Sequence, residues 1–207
     1  MTRSLSSLVL ILFVPFAAHA QSVKLFDGKT FAGWEGDTKK TWRIQDGAIV
    51  GGSLDTLVPR NEFLCTTRTF SDFELKLKFK LVGDRKSANA GVQFRTRRIP
   101  NHHEVSGFQA DVGQHYWGAL YDESRRNKVL AQPDKSLLEK IVKHDDWNDY
   151  VIHAQGPRIQ LWLNGTRTVD YTEKDAKIEA TGIIGLQIHG GARAVAHYKD
   201  IVIQELK

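Results

Sequence analysis

Three separated stretches of this chain carry polar side chains at alternate positions, the spacing that lines one face of a β-strand. In Gly91 to Arg97, Gln93, Arg95 and Arg97 alternate with Val92 and Phe94. Gly107 to Val112 repeats the pattern with Gln109 and Asp111, and Gly185 to His189 with Gln187 and His189. A face that only meets water is usually lined with Lys, Glu and Thr. Here the set is a guanidinium, amides, a carboxylate and an imidazole, with glycines beside them. Such a face suits a concave sheet that grips a polyhydroxylated ligand. Arg95 makes planar, directed contacts that Lys cannot. His189 has the ordinary pKa best suited to proton transfer near neutrality.

The segment from Gly107 to Leu130 is the densest in functional groups: Gln109, Asp111, His115, Tyr116, Trp117, Tyr121, Asp122, Glu123, Arg125 and Arg126. Aromatics interleaved with amides and carboxylates fit sugars, which offer an apolar C–H face for stacking and a rim of hydroxyls. A blander assignment stands beside this one. Trp117 and Tyr121 can be core residues, Asp122, Glu123 and Arg125 loop ion pairs, Arg95 half of a buried Arg–Asp pair, and His189 a structural strand histidine. The loop His102-His103-Glu104 holds metal-capable side chains without a defined ligand spacing. Cys65 reads as a small, inert core residue.

The elements that would position these groups are short strands divided by turns. Asp46-Gly47 joins Trp42–Gln45 to Ala48–Val50 as a two-residue hairpin, and Asn164-Gly165 turns Arg158–Leu163 into Thr168–Tyr171. Phe73 to Leu81 alternates apolar with mainly charged residues, as a strand with a solvated outer face does. Further strands are expected at Phe63–Thr69, Tyr150–Ala154, Gly182–His189 and Ala194–Leu206, and one helix at Lys135–Lys143. Strands do not alternate with long helices, so the expected class is all-β, a jelly-roll sandwich of two antiparallel sheets.

Residues 1–20 read as a cleaved signal peptide: Arg3, an apolar run from Leu8 to Phe16, then Ala18-His19-Ala20. The run is too short to span a membrane. The expectation is one exported domain over residues 21–207, periplasmic or secreted. A single cysteine excludes an internal disulfide. The whole chain carries +5, and loss of Arg3 leaves about +4. The basic residues are dispersed, which argues against nucleic acid as a partner. A Gly-x-Ser-x-Gly elbow, a phosphate loop and a Cys pair for zinc are all absent. So is the Glu-x-Asp-x-Glu strand motif that would supply a retaining glucanase with its two close carboxylates.

Leu25-Phe26-Asp27-Gly28-Lys29 followed by Gly33-Trp34 resembles the opening of the 3-keto-disaccharide hydrolase domain family. Trp42 with Asp46-Gly47, Phe73-Glu74-Leu75, Asn89 to Arg95, Gly107 to Asp111, Trp117 to Glu123, Trp147-Asn148, Leu163-Asn164-Gly165 and Gly185 to His189 continue the resemblance in order along the chain. Two departures stand out. Many members have Asn-Ser-Gly in place of Asn89-Ala90-Gly91, and Glu and Gln in place of Gln109 and Asp111.

The resemblance implies a concanavalin-A-like jelly roll acting on glycosides whose glucose unit is oxidised at C3. The ketone acidifies the C2 proton, so one base and a hydrogen-bonding cradle for the enolate would suffice. The expected base is His189 or Asp111, and the expected cradle is Arg95 with Gln109 and Gln187. Gln93, Arg97, Trp117, Tyr121, Asp122, Glu123 and Arg125 are the expected substrate-binding residues. No cofactor is required by this chemistry, while a structural calcium ion is compatible with the fold class. The expected partner is a small carbohydrate, with functional coupling to a sugar 3-oxidoreductase that would make the ketone. The rival readings are a carbohydrate-binding module without turnover and an ordinary glycosidase.

Overall fold

A computed structural model describes residues 21–206, so the expected signal peptide lies outside the described residues. In chain order the strands are β1 (Ser22–Lys24), β2 (Trp34–Glu35), β3 (Trp42–Gln45), β4 (Ala48–Ser53), β5 (Glu62–Phe70), β6 (Phe73–Gly83), β7 (Asn89–Arg98) and β8 (Val105–Gly113). They continue with β9 (Leu120–Glu123), β10 (Lys128–Ala131), β11 (Asn148–Gln155), β12 (Arg158–Leu163), β13 (Thr166–Thr172), β14 (Gly182–Ile188) and β15 (Ala194–Glu205). One helix, α1 (Lys135–Ile141), falls between β10 and β11, two residues shorter than expected.

Two antiparallel sheets result. The eight-stranded sheet runs β13-β12-β11-β6-β15-β4-β3, with β1 on the far half of β15; the seven-stranded sheet runs β10-β9-β8-β7-β14-β5-β2. The all-β expectation holds, and both Asp46-Gly47 and Asn164-Gly165 form the tight turns their sequences favour. Along β6, Phe73, Leu75, Leu77, Phe79 and Leu81 face inward. They pack against Ala90, Val92 and Phe94 of β7, Phe108, Ala110 and Val112 of β8, and Ile184, Leu186 and Ile188 of β14. Each of the larger of these side chains contributes about 1.5–3 kcal/mol by leaving water. The fold can therefore spend the opposite face of the seven-stranded sheet on polar groups.

The alternation of β7 breaks once. Phe94 pairs with Phe108 and Arg97 with Ser106, so three steps on β7 match two on β8; β14 records the same extra residue, Ile183 opposite Thr96 and Gly185 opposite Gln93. This is a β-bulge, with Arg95 at φ 45°. Its neighbours must be bare where the bulge crowds them. A Cβ on Gly182 would sit 2.4 Å from the Thr96 carbonyl oxygen, and one on Gly107 would sit 2.5 Å from the Thr96 Cα.

Candidate functional site

Ala90, Val92, Phe94, Ala110, Leu120 and Leu186 all point into the core. Alternation therefore sends Asn89 and Gln93, Gln109 and Asp111, Tyr121 and Glu123, and Gln187 to the outer face of the seven-stranded sheet. Register aligns them. Gln93 pairs with Gln109 and Gln109 with Tyr121, while Gly91 lies between Asp111 and Gln187. A side chain on Gly91 would collide with Gln109, whose Cδ lies 2.5 Å from the position of a Cβ there.

Beyond the bulge, the β7–β8 hairpin folds over this face. Val105 joins Phe63, Cys65 and Ile183 in a small second apolar cluster. Arg98 reaches β2, where its guanidinium donates to the Glu35 carboxylate at 2.8 Å and its carbonyl at 2.7 Å. Glu104 Oε1 accepts from Asn61 Nδ2 at 3.1 Å. The amides beneath are sealed, Gln93 and Gln187 being 0 % exposed and Asp111 3 %. The β9 side stays open: Tyr116, Tyr121 and Glu123 are half-buried, with the two tyrosine rings edge to face at 6.2 Å. Cys65 lies under the roof, as a buried thiol pushed up to about 12 by burial.

A chain of hydrogen bonds crosses the face. Gln93 Nε2 donates to Gln109 Oε1, and the Gln109 amide beside Asp111 favours its ionised form. Asp111 Oδ1 also accepts from Asn89 Nδ2 at 3.0 Å and from the Val112 amide at 2.9 Å. Burial outweighs these donors and raises the Asp111 carboxyl to about 7, the Glu123 charge adding to the effect. Glu123 is likewise raised to about 7, first by burial and then by the charge of Glu104, against a 3.5 Å hydrogen bond from Gln187 Nε2. Neither carboxyl pairs with a Lys or Arg among the described residues. Buried acceptors are left without donors at Gln93 Oε1, Gln187 Oε1 and Glu104 Oε2. A face with spare acceptors and two carboxyls poised near neutrality can bind hydroxyls and move protons.

Two core tyrosines fix the backbone under this face from the other sheet. Tyr198 Oη donates toward the Gln187 and Gly91 carbonyls at 2.7 and 3.2 Å, and Tyr150 Oη to the Asp111 carbonyl at 3.2 Å.

Several expected site residues stand elsewhere. The bulge turns Arg95 away from Gln93, so its guanidinium is held at the end of the sandwich by the carbonyls of Ser71 (2.8 Å) and Gly156 (2.7 Å) and by Asp72 Oδ1 (2.8 Å). That is the buried Arg–Asp pair, not an enolate cradle. Arg97 is exposed and pairs with Glu179 at 3.0 Å. Asp122, one residue out of phase with Glu123, is wholly buried on the core side, accepting from Arg125 at 2.8 Å and from Arg126. Arg125 lies over the Phe108 ring at 4.5 Å. Trp117 belongs to the core, 6.0 Å from Phe79 of the opposite sheet. His189 follows the end of β14, half-buried, its Nδ1 2.7 Å from the Gly190 carbonyl oxygen. No hydrogen bond joins it to Asp111 or Gln187 among the described residues. The guanidinium is withdrawn from the expected convergence, while His189 follows Gln187 in the outward phase with its backbone amide bonded to the Asn89 carbonyl at 3.1 Å.

Asn89 enters the site without having been singled out, Tyr116 comes from the segment rich in functional groups, and Glu104 comes from the loop read only as metal-capable. Asn89 was legible, because it shares a phase with Gln93. Glu104 was not, because only the folded hairpin brings it over the sheet. Its neighbours His102 and His103 stack on each other at 4.4 Å, and among the described residues no group of three or more His, Cys, Asp and Glu is arranged to hold a metal ion.

The chain is similar in fold to a Parabacteroides distasonis protein described as a "putative glycosyl hydrolase" (TM-score 0.67, 18 % identity, 90 % of this chain and 94 % of that one). It is also similar to the carbohydrate binding module CBM66 from Bacillus subtilis (TM-score 0.65, 16 % identity, 84 % and 96 %). A Bacillus licheniformis β-glucanase matches at TM-score 0.56 and 9 % identity over 92 % and 100 %. Identities this low establish the jelly-roll architecture alone. No curated protein matches. The family model of the 3-keto-alpha-glucoside-1,2-lyase-like domain matches residues 21–204. With nearly every residue after the first twenty inside that match, the chain belongs to the 3-keto-alpha-glucoside-1,2-lyase-like domain family.

Proposed function

We propose that the protein cleaves glycosides whose glucose unit carries a ketone at C3, with Asp111 and Glu123 as its proton-transfer groups. One carboxylate removes the C2 proton, and the C–H electrons form an enolate conjugated to O3. Return of the electron pair expels the C1 oxygen substituent, which leaves as an alcohol after taking a proton from the other carboxyl. Water then adds across the C1–C2 double bond, hydroxyl to C1 and proton to C2. The observation that carries this reading is two carboxyls on one amide-lined face, both raised to about 7, where a base and an acid coexist at neutral pH. Gln93, Gln109 and Gln187 are buried, so they would hold Asp111 and Glu123 in place rather than meet the enolate oxygen themselves. Tyr116 and Tyr121 at the open side offer a stacking surface for the ring.

A second reading is binding without turnover. The withdrawal of Arg95 favours it, because it leaves the face without a cation to stabilise the enolate. Incubation with a 3-keto-glucoside bearing a chromogenic leaving group separates the two. Release that falls at least about a hundredfold in both Asp111→Asn and Glu123→Gln supports the reaction. Saturable binding with no release in the wild type selects the second reading.

A further inference from the structure

A second crevice lies on the other side of the β8–β9 connection. It holds about 280 Å³ and is bounded by that connection, by α1 and by the turns at Arg85 and His144. Its wall combines Trp117, Leu138, Val142 and Pro133 with Gln114, Gln132, two imidazoles and charges of both signs on Arg85, Lys135 and Glu139. Trp117 meets the His144 ring edge to face at 5.5 Å. This crevice is separate from the polar face, since none of Gln93, Gln109, Asp111, Glu123 and Gln187 lines it.

Its hydrogen-bonding capacity is mixed and largely free. Gln114 Nε2 donates to the Ser87 carbonyl at 2.9 Å and Gln132 Nε2 to the His115 carbonyl at 2.7 Å. A carbonyl can only accept, so both amides are fixed in orientation. Each keeps an oxygen with no donor among the described residues. Arg85 has only a 3.9 Å contact with Asp145, which leaves most of its donors available. An anionic aromatic ligand would satisfy Arg85 and leave the two amide oxygens facing it unpaired. A hydroxylated ring satisfies both kinds of group, since each hydroxyl donates and accepts, and its C–H face fits the indole and leucine wall.

We infer that this crevice is a second carbohydrate-binding subsite, taking one sugar ring independently of the outer face of the sheet. It requires no reaction there, so it goes beyond the proposed function and does not rest on it.

The test is a titration of the ¹⁵N-labelled mature chain with methyl α-D-glucopyranoside and with trehalose, neither of which carries a ketone. The Trp117 indole N–H resonance is assigned by its loss in Trp117→Phe. Expected are saturable shifts of that resonance and of the backbone amides of residues 114–117, 132, 134–139 and 144. Arg85→Ala and Gln132→Leu, both at exposed positions, should weaken binding at least about fivefold, while Asp111→Asn leaves it unchanged. Shifts confined to Gln93, Gln109 and Gln187, or absent altogether, would overturn the inference. Shifts at the crevice in a protein that never cleaves a 3-keto-glucoside would uphold it and discard the proposed reaction.

Discussion

Asn89 Nδ2 donates to Asp111 Oδ1 at 3.0 Å across adjacent strands, and both residues are buried. This bond favours the ionised form of a carboxyl that burial alone would push higher still. In the proposed reaction one of the two carboxylates is the base. With Asp111 in that role, Asn89→Ala should move the rising limb of kcat/KM toward higher pH from its position near 7. A limb left in place would show that Asp111 is not the group titrating.

The same carboxyl makes the fold pH-dependent in a definite direction. Its pKa is about 7 in the native state against an ordinary value of 3.8. The native protein thus holds a proton that the unfolded chain has lost between these values. Stability must fall as pH rises from about 4 to about 7 and then level off. Glu123, raised to about 7 from 4.5, acts with the same sign. Asp111→Asn should remove part of this slope and make the protein more stable than wild type at pH 8, by up to a few kcal/mol, while losing activity. Urea midpoints at pH 5 and 8 check this; a variant less stable than wild type at both would contradict it.

Much of this arrangement is readable before any coordinates. Phe73 to Leu81 declares a strand with one buried face, and the apolar partners Val92, Ala110, Leu120 and Leu186 set the phase that brings Gln93, Asp111, Glu123 and Gln187 to one side. Arg95 is misread because a one-residue bulge inverts the phase of everything after it. Nothing in Phe94-Arg95-Thr96 signals the insertion. The hint lay in Gly107 and Gly182, whose bareness is needed only once the bulge is there. Trp117 and Tyr116 were inseparable for a different reason: they sit in an irregular turn where no period assigns sides. Glu104 depends on a long-range contact with Asn61 that local pattern cannot encode.

Arg95 should matter to folding rather than to substrate. Its guanidinium joins the β5–β6 turn at Ser71 and Asp72 to the β11–β12 turn at Gly156. Arg95→Ala leaves two carbonyls and a carboxylate without that donor, at a cost of about 3 kcal/mol. Arg95→Lys should not restore it, since an ammonium cannot span three acceptors in one plane. The protein that remains folded should keep the wild-type KM for a 3-keto-glucoside. A raised KM at unchanged thermal stability would return Arg95 to the binding site.

Tyr198→Phe removes one hydroxyl from under the polar face. Two carbonyls, of Gln187 and Gly91, lose the same donor. Deleting a buried donor while its acceptors stay buried costs about 1–3 kcal/mol. The Gln187 strand segment should also loosen, lowering kcat more than it changes KM. Equal kcat with a lower melting temperature would confine the tyrosine to stability.

The roof over the site is set by Thr96, and two glycines make room for it. Gly182→Ala brings a methyl carbon within 2.4 Å of the Thr96 carbonyl oxygen and 2.5 Å of its nitrogen; Gly107→Ala places one 2.5 Å from its Cα. Backbone cannot yield as a side-chain tip does, so each substitution should cost at least about 2 kcal/mol. The strain falls where the hairpin leaves the sheet. The contacts that close the tip, Arg98 with Glu35 and Glu104 with Asn61, should therefore open first. Hydrogen exchange should accelerate across residues 99–104 before it does in β6 or β11, and the Cys65 thiol beneath Val105 should become reactive to a thiol reagent. Unchanged exchange at the tip in both variants would mean that something other than the bulge holds the hairpin down.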